Sequence, residues 1–323
     1  MHPKKLSLIS PKIAMKYRNL LTNKGMLCIM RKVDKSTIRQ KDLFMKVRII
    51  TDSTADLPAS IAARLTSVPL TVHFGDEEYA DGVTITNQQF YEKLEESDVM
   101  PSTSQATPAA FDEVFRQVSD AGESAVVITL ASQLSGTYQS ATIAAADYDH
   151  IYVVDSGSVA IGSGILAELA LSMADSGMEA KDIAARLETE KQRIRIVAVL
   201  DTLEYLKRGG RISKTVAFAG GLLNMKPVVA FQDGEIRMLG KARGSKQGNS
   251  LLTAQIQAIG GADFSMPLLL GYTGLSDAPI QKFLEDSQQL WLDAAKPLRY
   301  TLIGSVIGTH AGPGAVAVAF FQK

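Results

Sequence analysis

From Val47 onward the apolar positions follow two periods in turn. "VRIIT" (47–51), "AVVITLA" (125–131) and "IYVVDS" (151–156) are short continuous apolar runs bounded by polar residues, the pattern of strands buried on both faces. Between them, "PASIAARL" (58–65), "TNQQFYEKLEE" (86–96), "TPAAFDEVFRQV" (107–118) and "GTYQSATIAAA" (136–146) repeat every three to four residues and predict helices, as do 158–175 and 179–194. Thr86 and Gln89 have capping-box spacing, and Thr107 followed by Pro108 marks another helix start. "VPLTVHF" (68–74) reads as one more strand. Such alternation predicts a mostly parallel sheet with helices on both faces.

The pattern changes after residue 190. "RIVAVLD" (195–201) leads to a short helix ending at Gly209 and a further helix near 213–224, and "KPVVAFQDGEIRMLGKAR" (226–243) predicts a hairpin turning at Asp233-Gly234. Helices at 245–259 and 277–290 alternate with strands at 267–273, 299–305 and 315–321, with "GTHAGPGA" read as a loop before the last strand. Mixing hairpins with crossovers implies a mixed α+β sheet. The expectation is an α/β protein of two domains, 45–190 and 191–323, consistent with a length above the about 250 residues at which single cores stop growing.

Charge sets the first 44 residues apart. They hold eleven Lys and Arg against Asp34 and Asp42, while the formal charge of the whole chain is zero, so the body is acidic. An acidic body argues against nucleic acid as the main partner, since phosphate neutralisation needs clustered cations. No apolar run reaches the roughly 20 residues of a membrane span, so no integral membrane segment is expected. Pro3, Pro11 and Gly25 interrupt the basic stretch, and "MKVRIITDS" from Met45 reads like a domain start. Residues 1–44 are therefore expected to be a disordered extension or a stretch outside the native start. The single cysteine, Cys28, can form no internal disulfide, which suits a reducing compartment.

Several chemistries lack their residues. There is no G-x-S-x-G nucleophile elbow, no phosphate-cradling G-x-x-x-x-G-K-[ST] and no kinase D-F-G, and the four histidines show no metal-ligand spacing. "GSGILA" (162–167) matches G-x-G-x-x-A, but two helices follow it where a dinucleotide fold would place a strand ending in an acid. What remains is a set of hydroxyl groups at element ends. Thr103 and Ser104 precede a helix in "PSTSQATP", and Ser135 stands at the expected cap of another in "ASQLSGTYQSA". Each alone is an ordinary cap. Converging with His310, they would supply the several hydrogen bonds that a carboxylate needs away from water.

The blocks "RIITDSTADLP", "TSQATP", "LSGTYQSA", "VVDSGSVAIGSG", "LEYLKRGGRIS" and "GTHAGPGA", in this order and spacing from about Lys46 to Lys323, resemble the DegV family, which includes the fatty-acid-binding subunit of bacterial fatty acid kinase. The resemblance implies two domains enclosing one long-chain fatty acid, its carboxylate at the domain junction against Thr103, Ser104, Ser135 and His310. Arg211 matches an arginine of the same pocket region. Ile161, Phe218, Leu222 and Leu223 are candidates for an apolar tunnel around the tail, and Arg243 matches an arginine used toward the kinase. The implied role is cytoplasmic and non-catalytic: the chain presents the acid to a separate ATP-dependent kinase, which makes an acyl phosphate for lipid synthesis, with no metal or other cofactor. Two alternatives stay open, a lipid-carrying or regulatory module without a kinase partner and a Ser135–His310 acyl hydrolase.

Because residues 1–44 lie outside both the pattern and the resemblance, deleting them is expected to leave the melting temperature and ligand binding unchanged. A fall of several degrees on deletion would show instead that the stretch packs onto the fold.

Overall fold

The computed structural model describes residues 45–212, 225–232, 234–294 and 297–323. Strands β1 (Val47–Asp52), β2 (Thr66–Val68), β6 (Ser124–Thr129) and β7 (Ile151–Asp155) form a parallel sheet in the order β2-β1-β6-β7. Alternation along β1 serves both faces. Ile50 joins Val127, Phe111 and Phe115 on one side, whereas Ile49 joins Val126, Ile165 and Leu187 on the other. Helices α1 (Ala59–Ala62), α2 (Asn87–Glu96), α3 (Pro108–Asp120), α4 (Thr137–Ala145), α5 (Ile161–Asp175) and α6 (Ala180–Glu190) accompany these strands. The Thr86/Gln89 capping box forms in full, and Thr107 accepts the Ala110 N–H with Pro108 at the first helical position.

Three local expectations are corrected. The single strand expected over 68–74 is broken at Pro69, which has no N–H to give a ladder. Val68 ends β2, the Leu70 N–H turns to the Ser53 hydroxyl at 3.1 Å, and Thr71–Phe74 becomes β3 of a separate antiparallel sheet, β4-β3-β5, with Glu77–Ala80 (β4) and Ser102–Ser104 (β5). The helix expected from 158 starts at Ile161, because Ser156 Oγ accepts the Ser158 N–H and Ala160 takes φ 53°, ψ −133°, outside helical space. The helix expected over 58–65 stops at Ala62.

The second strand set forms a six-stranded mixed sheet, β10-β9-β8-β13-β11-β12, from β8 (Ile194–Val199), β9 (Met225–Gln232), β10 (Glu235–Arg243), β11 (Leu269–Tyr272), β12 (Tyr300–Leu302) and β13 (Val316–Phe321). Gln232 pairs with Glu235 as the hairpin requires, and Gly234 has φ +81°; Asp233 lies outside the described residues, as does the helix expected near 213–224. Helix α7 (Glu204–Arg208) follows β8 and ends at Gly209. Helices α8 (Gly244–Ala258) and α9 (Ala278–Asp286) cover one face of this sheet, where Leu252, Ile256 and Phe283 meet Val197, Val228 and Val318.

The other face turns toward α5. Nine of its residues between Ile161 and Leu171 are buried, and one core joins Ile161 and Ile165 to Ile49 and Val126 of the parallel sheet and to Ile196, Ala319 and Phe321 of the mixed sheet. A helix apolar all round is a buried helix. Its glycines are packing positions: a Cβ on Gly164 would lie 2.7 Å from the Asp56 carbonyl oxygen, and one on Gly162 would lie 2.1 Å from Ser158 Oγ. The G-x-G-x-x-A match thus marks a tightly wedged helix.

The segment around His310, read as a loop, is also helical. Helix α10 (Ser305–Ala311) carries His310 in its last turn, and the chain leaves it through Gly312 and Gly314 at φ +70° and +80°. Gly308 lies against aromatic rings, since a Cβ there would be 2.5 Å from Tyr91 Oη and 2.8 Å from Phe90 Cε1. Contacts with the first half of the chain, rather than helix propensity, hold this turn in shape.

Candidate functional site

Where the face of the mixed sheet is not covered by α5, a pocket opens with about 970 Å³ of empty space, its mouth included. Its floor is a cross-strand row in which Ala198 of β8 stands opposite Val229 of β9 and Ala317 of β13. The small side chains at Ala198 and Ala317 leave the depth. In the next row Ile196 stands opposite Phe231, and both belong to the packed core around α5, so the pocket closes there. Leu70, Leu130 and Leu134 come to the wall from the first half of the chain, and Ile303, Val306 and Ile307 from the second. An apolar enclosure of this size with a few polar groups has the build of a small-molecule site.

Those polar groups gather at one end. Thr103, central in β5, and His310, near the end of α10, are 207 residues apart and meet with Thr103 Oγ1 2.9 Å from His310 Nε2. Burial, helped by the Arg211 charge, pushes His310 down to about 4. The ring is neutral near pH 7, so it donates from one nitrogen and accepts at the other. Nδ1 is buried with no hydrogen-bond partner and packs on bare backbone: a Cβ on Gly209 would stand 2.1 Å from it. Among the described residues no acid bonds to the imidazole from behind.

Ser135, Ser104 and Arg211 line the same pocket. Ser135 lies one residue before the capping position, which Gly136 occupies; its Oγ accepts the Thr137 N–H at 3.3 Å and lies 2.9 Å from Thr137 Oγ1. The Ser135–His310 pair that a hydrolase would need is not formed. The Ser104 hydroxyl is held by His73 Nε2 at 2.8 Å. Arg211 Nη1 donates to the Gly209 carbonyl at 2.6 Å and Nε to the Leu134 carbonyl at 3.3 Å, so it closes the end of α7 and adds a cation to the pocket wall.

The tail candidates fare differently. Ile161 is fully buried in the α5 core and does not line the pocket; Val159 and Ala160, just before the helix, do. Phe218, Leu222 and Leu223 lie outside the described residues. Arg243 is exposed at the end of β10, away from the pocket wall. Sequence reasoning overlooked Gln105, whose Nε2 donates to Ser140 Oγ at 2.8 Å and braces the "TSQ" turn against α4. Gly209, expected only as the end of a short helix, is also the seat of the His310 imidazole. Among the described residues no cluster of metal-ligating side chains occurs, and no helix is long and apolar enough to cross a membrane.

Comparisons with known proteins place this architecture. A family model described as an uncharacterised protein of the DegV family matches residues 46–323. A DegV domain-containing protein of Caldanaerobacter subterraneus subsp. tengcongensis is 36% identical over 284 residues, covering 86% of this chain and 99% of that protein. Among solved structures, a DegV family protein from Thermus thermophilus described by its fatty acid binding superposes with a TM-score of 0.77 at 28% identity, covering 86% of this chain and 100% of that one. DegV from Bacillus subtilis, described as a fatty acid binding protein, gives 0.74 at 28% identity with the same coverage. A stearic acid-binding protein from Eubacterium ventriosum gives 0.74 at 26% identity, covering 86% and 98%.

A depressed histidine has a defined sign. The folded protein binds the His310 proton less tightly than the unfolded chain does, so this group leaves stability intact above about pH 6.5. It removes up to about 3 kcal/mol as pH falls toward 4. In ligand-free protein the His310 imidazole is expected to titrate by NMR near pH 4, and Gly209→Ala, which forces the ring off its seat, is expected to move the midpoint up toward 6.5. A wild-type midpoint at 6.5 would show that the ring is solvated and the pocket end open.

Proposed function

The chain belongs to the DegV family, and on that footing we propose that it binds one long-chain fatty acid in this pocket and presents the carboxylate to a separate kinase. The observation that carries the reading is the join of an apolar floor, Ala198 and Ala317, to a half-buried Thr103–His310 pair with Arg211 beside it. The relatives described as fatty acid binding proteins support it. Each methylene taken from water contributes about 0.8 kcal/mol, so a tail of about 16 carbons supplies on the order of 12 kcal/mol before the costs of association. The tail thus provides affinity and the polar end provides orientation. Thr103 and His310 would share hydrogen bonds with the carboxylate, Ser135 and Ser104 stand at its rim, and Arg211 supplies opposite charge.

These residues hold and orient; none is arranged as a covalent nucleophile. The chain contributes a positioned carboxylate, and phosphoryl transfer to it belongs to an ATP-dependent partner in the cytoplasm, giving an acyl phosphate for lipid synthesis. Arg243, exposed and away from the pocket, is the candidate contact with that partner. The domain division at residue 190 belongs to the same reading, with the acid at the junction of the two strand sets.

Mass spectrometry of lipid released from protein purified without added ligand is expected to find a long-chain acid. Thr103→Ala combined with His310→Ala is expected to weaken binding of palmitic acid tenfold or more, since each lost hydrogen bond to a charged group costs roughly 1.5–3 kcal/mol. Wild-type affinity in the double variant would move the head group elsewhere. Arg243→Ala is expected to keep lipid occupancy while lowering acyl-phosphate formation with a fatty acid kinase at least tenfold. Undiminished phosphorylation would remove Arg243 from the partner surface, and a chain that co-purifies with no kinase would point to the carrier role instead.

A further inference from the structure

Helix α10 begins without a cap of its own: Gly304 occupies the capping position and no side chain of the segment bonds back to it. Its first donors go to two buried carboxyl groups from the opposite end of the chain. The Gly304 N–H donates to Asp56 Oδ1 at 2.7 Å across 248 residues, and the Ser305 hydroxyl donates to Asp81 Oδ1 across 224. Asp56, Asp81 and Ser305 are 6%, 4% and 0% exposed. Just before them, the Tyr91 hydroxyl donates to the Ile303 carbonyl at 2.9 Å. The start of the histidine helix is therefore gripped from outside, at a point where none of the gripping groups lines the lipid pocket.

Helical rise makes that grip matter for the other end. From Ser305 to His310 the axis runs about 7.5 Å. A tilt of about 10° at the first turn would carry the imidazole more than 1 Å, enough to break a 2.9 Å bond to Thr103. Gly308 lies close against Tyr91 and Phe90, so α10 cannot shift sideways toward them.

We propose that Asp56 and Asp81 are positioning residues of the head-group site: by holding the first turn of α10 they set where His310 meets Thr103, and hence how well the pocket tells a carboxylate from a neutral head. This rests on the fatty acid reading above. Burial raises both carboxyl groups above the usual carboxylate range, and at Asp56 the bond from the Gly304 N–H needs only a carbonyl oxygen, which asparagine keeps.

The test compares palmitic acid with hexadecan-1-ol, which has the same tail and no charge. Binding of both is measured for wild type, Asp56→Ala, Asp81→Ala, Ser305→Ala and Asp56→Asn, with the His310 imidazole followed by NMR in the ligand-free proteins. The alanine variants are expected to lose tenfold or more in acid affinity, to keep alcohol affinity within twofold, and to shift the imidazole midpoint from about 4 toward 6.5. Asp56→Asn is expected to restore acid binding to within threefold of wild type. Equal losses for acid and alcohol would make the two acids supports of the fold alone. An unchanged imidazole with unchanged acid affinity would overturn the proposal. Should Asp56→Ala and Asp81→Ala fail to fold, Ser305→Ala, which removes one hydroxyl, decides between these results. A wild type that binds neither probe would refute fatty acid binding, and the imidazole midpoints would still judge the grip on α10.

Discussion

Everything in this molecule is arranged around a helix whose first seven residues are all buried. Helix α5 is buried on one side against the parallel sheet and on the other against the mixed sheet, and its glycines at 162 and 164 let backbone and side chains approach to distances no Cβ would permit. Burial of that kind fixes the spacing of the two sheets. Before Ile161, where the helix starts, the spacing persists and no other helix takes its place among the described residues. The pocket is the continuation of the α5 slot beyond Ala160, with Ala198 and Ala317 opposite the space the helix would otherwise occupy.

The polar end follows the opposite logic. Thr103, His310, Ser135 and Arg211 come from four separate elements, and each is held by a partner of its own or by bare backbone. A site assembled this way is preorganised: the groups that would meet a carboxylate are already half-buried and oriented, which lowers the cost of ordering them. The cost appears in the lowered affinity of His310 for protons.

Much of this was legible in the sequence, and the parts that were not share a cause. The Thr86/Gln89 box, the Thr107-Pro108 start and the Asp233-Gly234 hairpin rest on contacts within four residues, so the chain announces them locally. The split at Pro69 was missed because sheet membership is a long-range property: Val68 and Phe74 belong to sheets whose other strands lie elsewhere in the sequence. Glycine-rich 305–314 read as a loop because its helix is imposed by Tyr91, Asp56 and Asp81, more than 200 residues away. Ile161 goes into the α5 core while Val159 and Ala160, just before the helix, line the pocket, because the Ser156–Ser158 turn and the Ala160 backbone set where α5 starts, and periodicity does not show that point. Thr103, Ser135 and His310 can be proposed from the sequence as one polar set because hydroxyls and a histidine at element ends are conspicuous against an apolar pattern; their mutual geometry cannot be read there.

The walls of the pocket alternate between the two halves of the chain, with Leu70 and Leu130 facing Ala198 and Ile307. Such a cavity exists only while the whole fold is closed, so an occupant binds the native state and has no counterpart in the unfolded chain. At a hundredfold excess over its dissociation constant, that linkage adds about 2.7 kcal/mol to the free energy of unfolding. Supply of such an occupant would then set how often the chain opens to proteases.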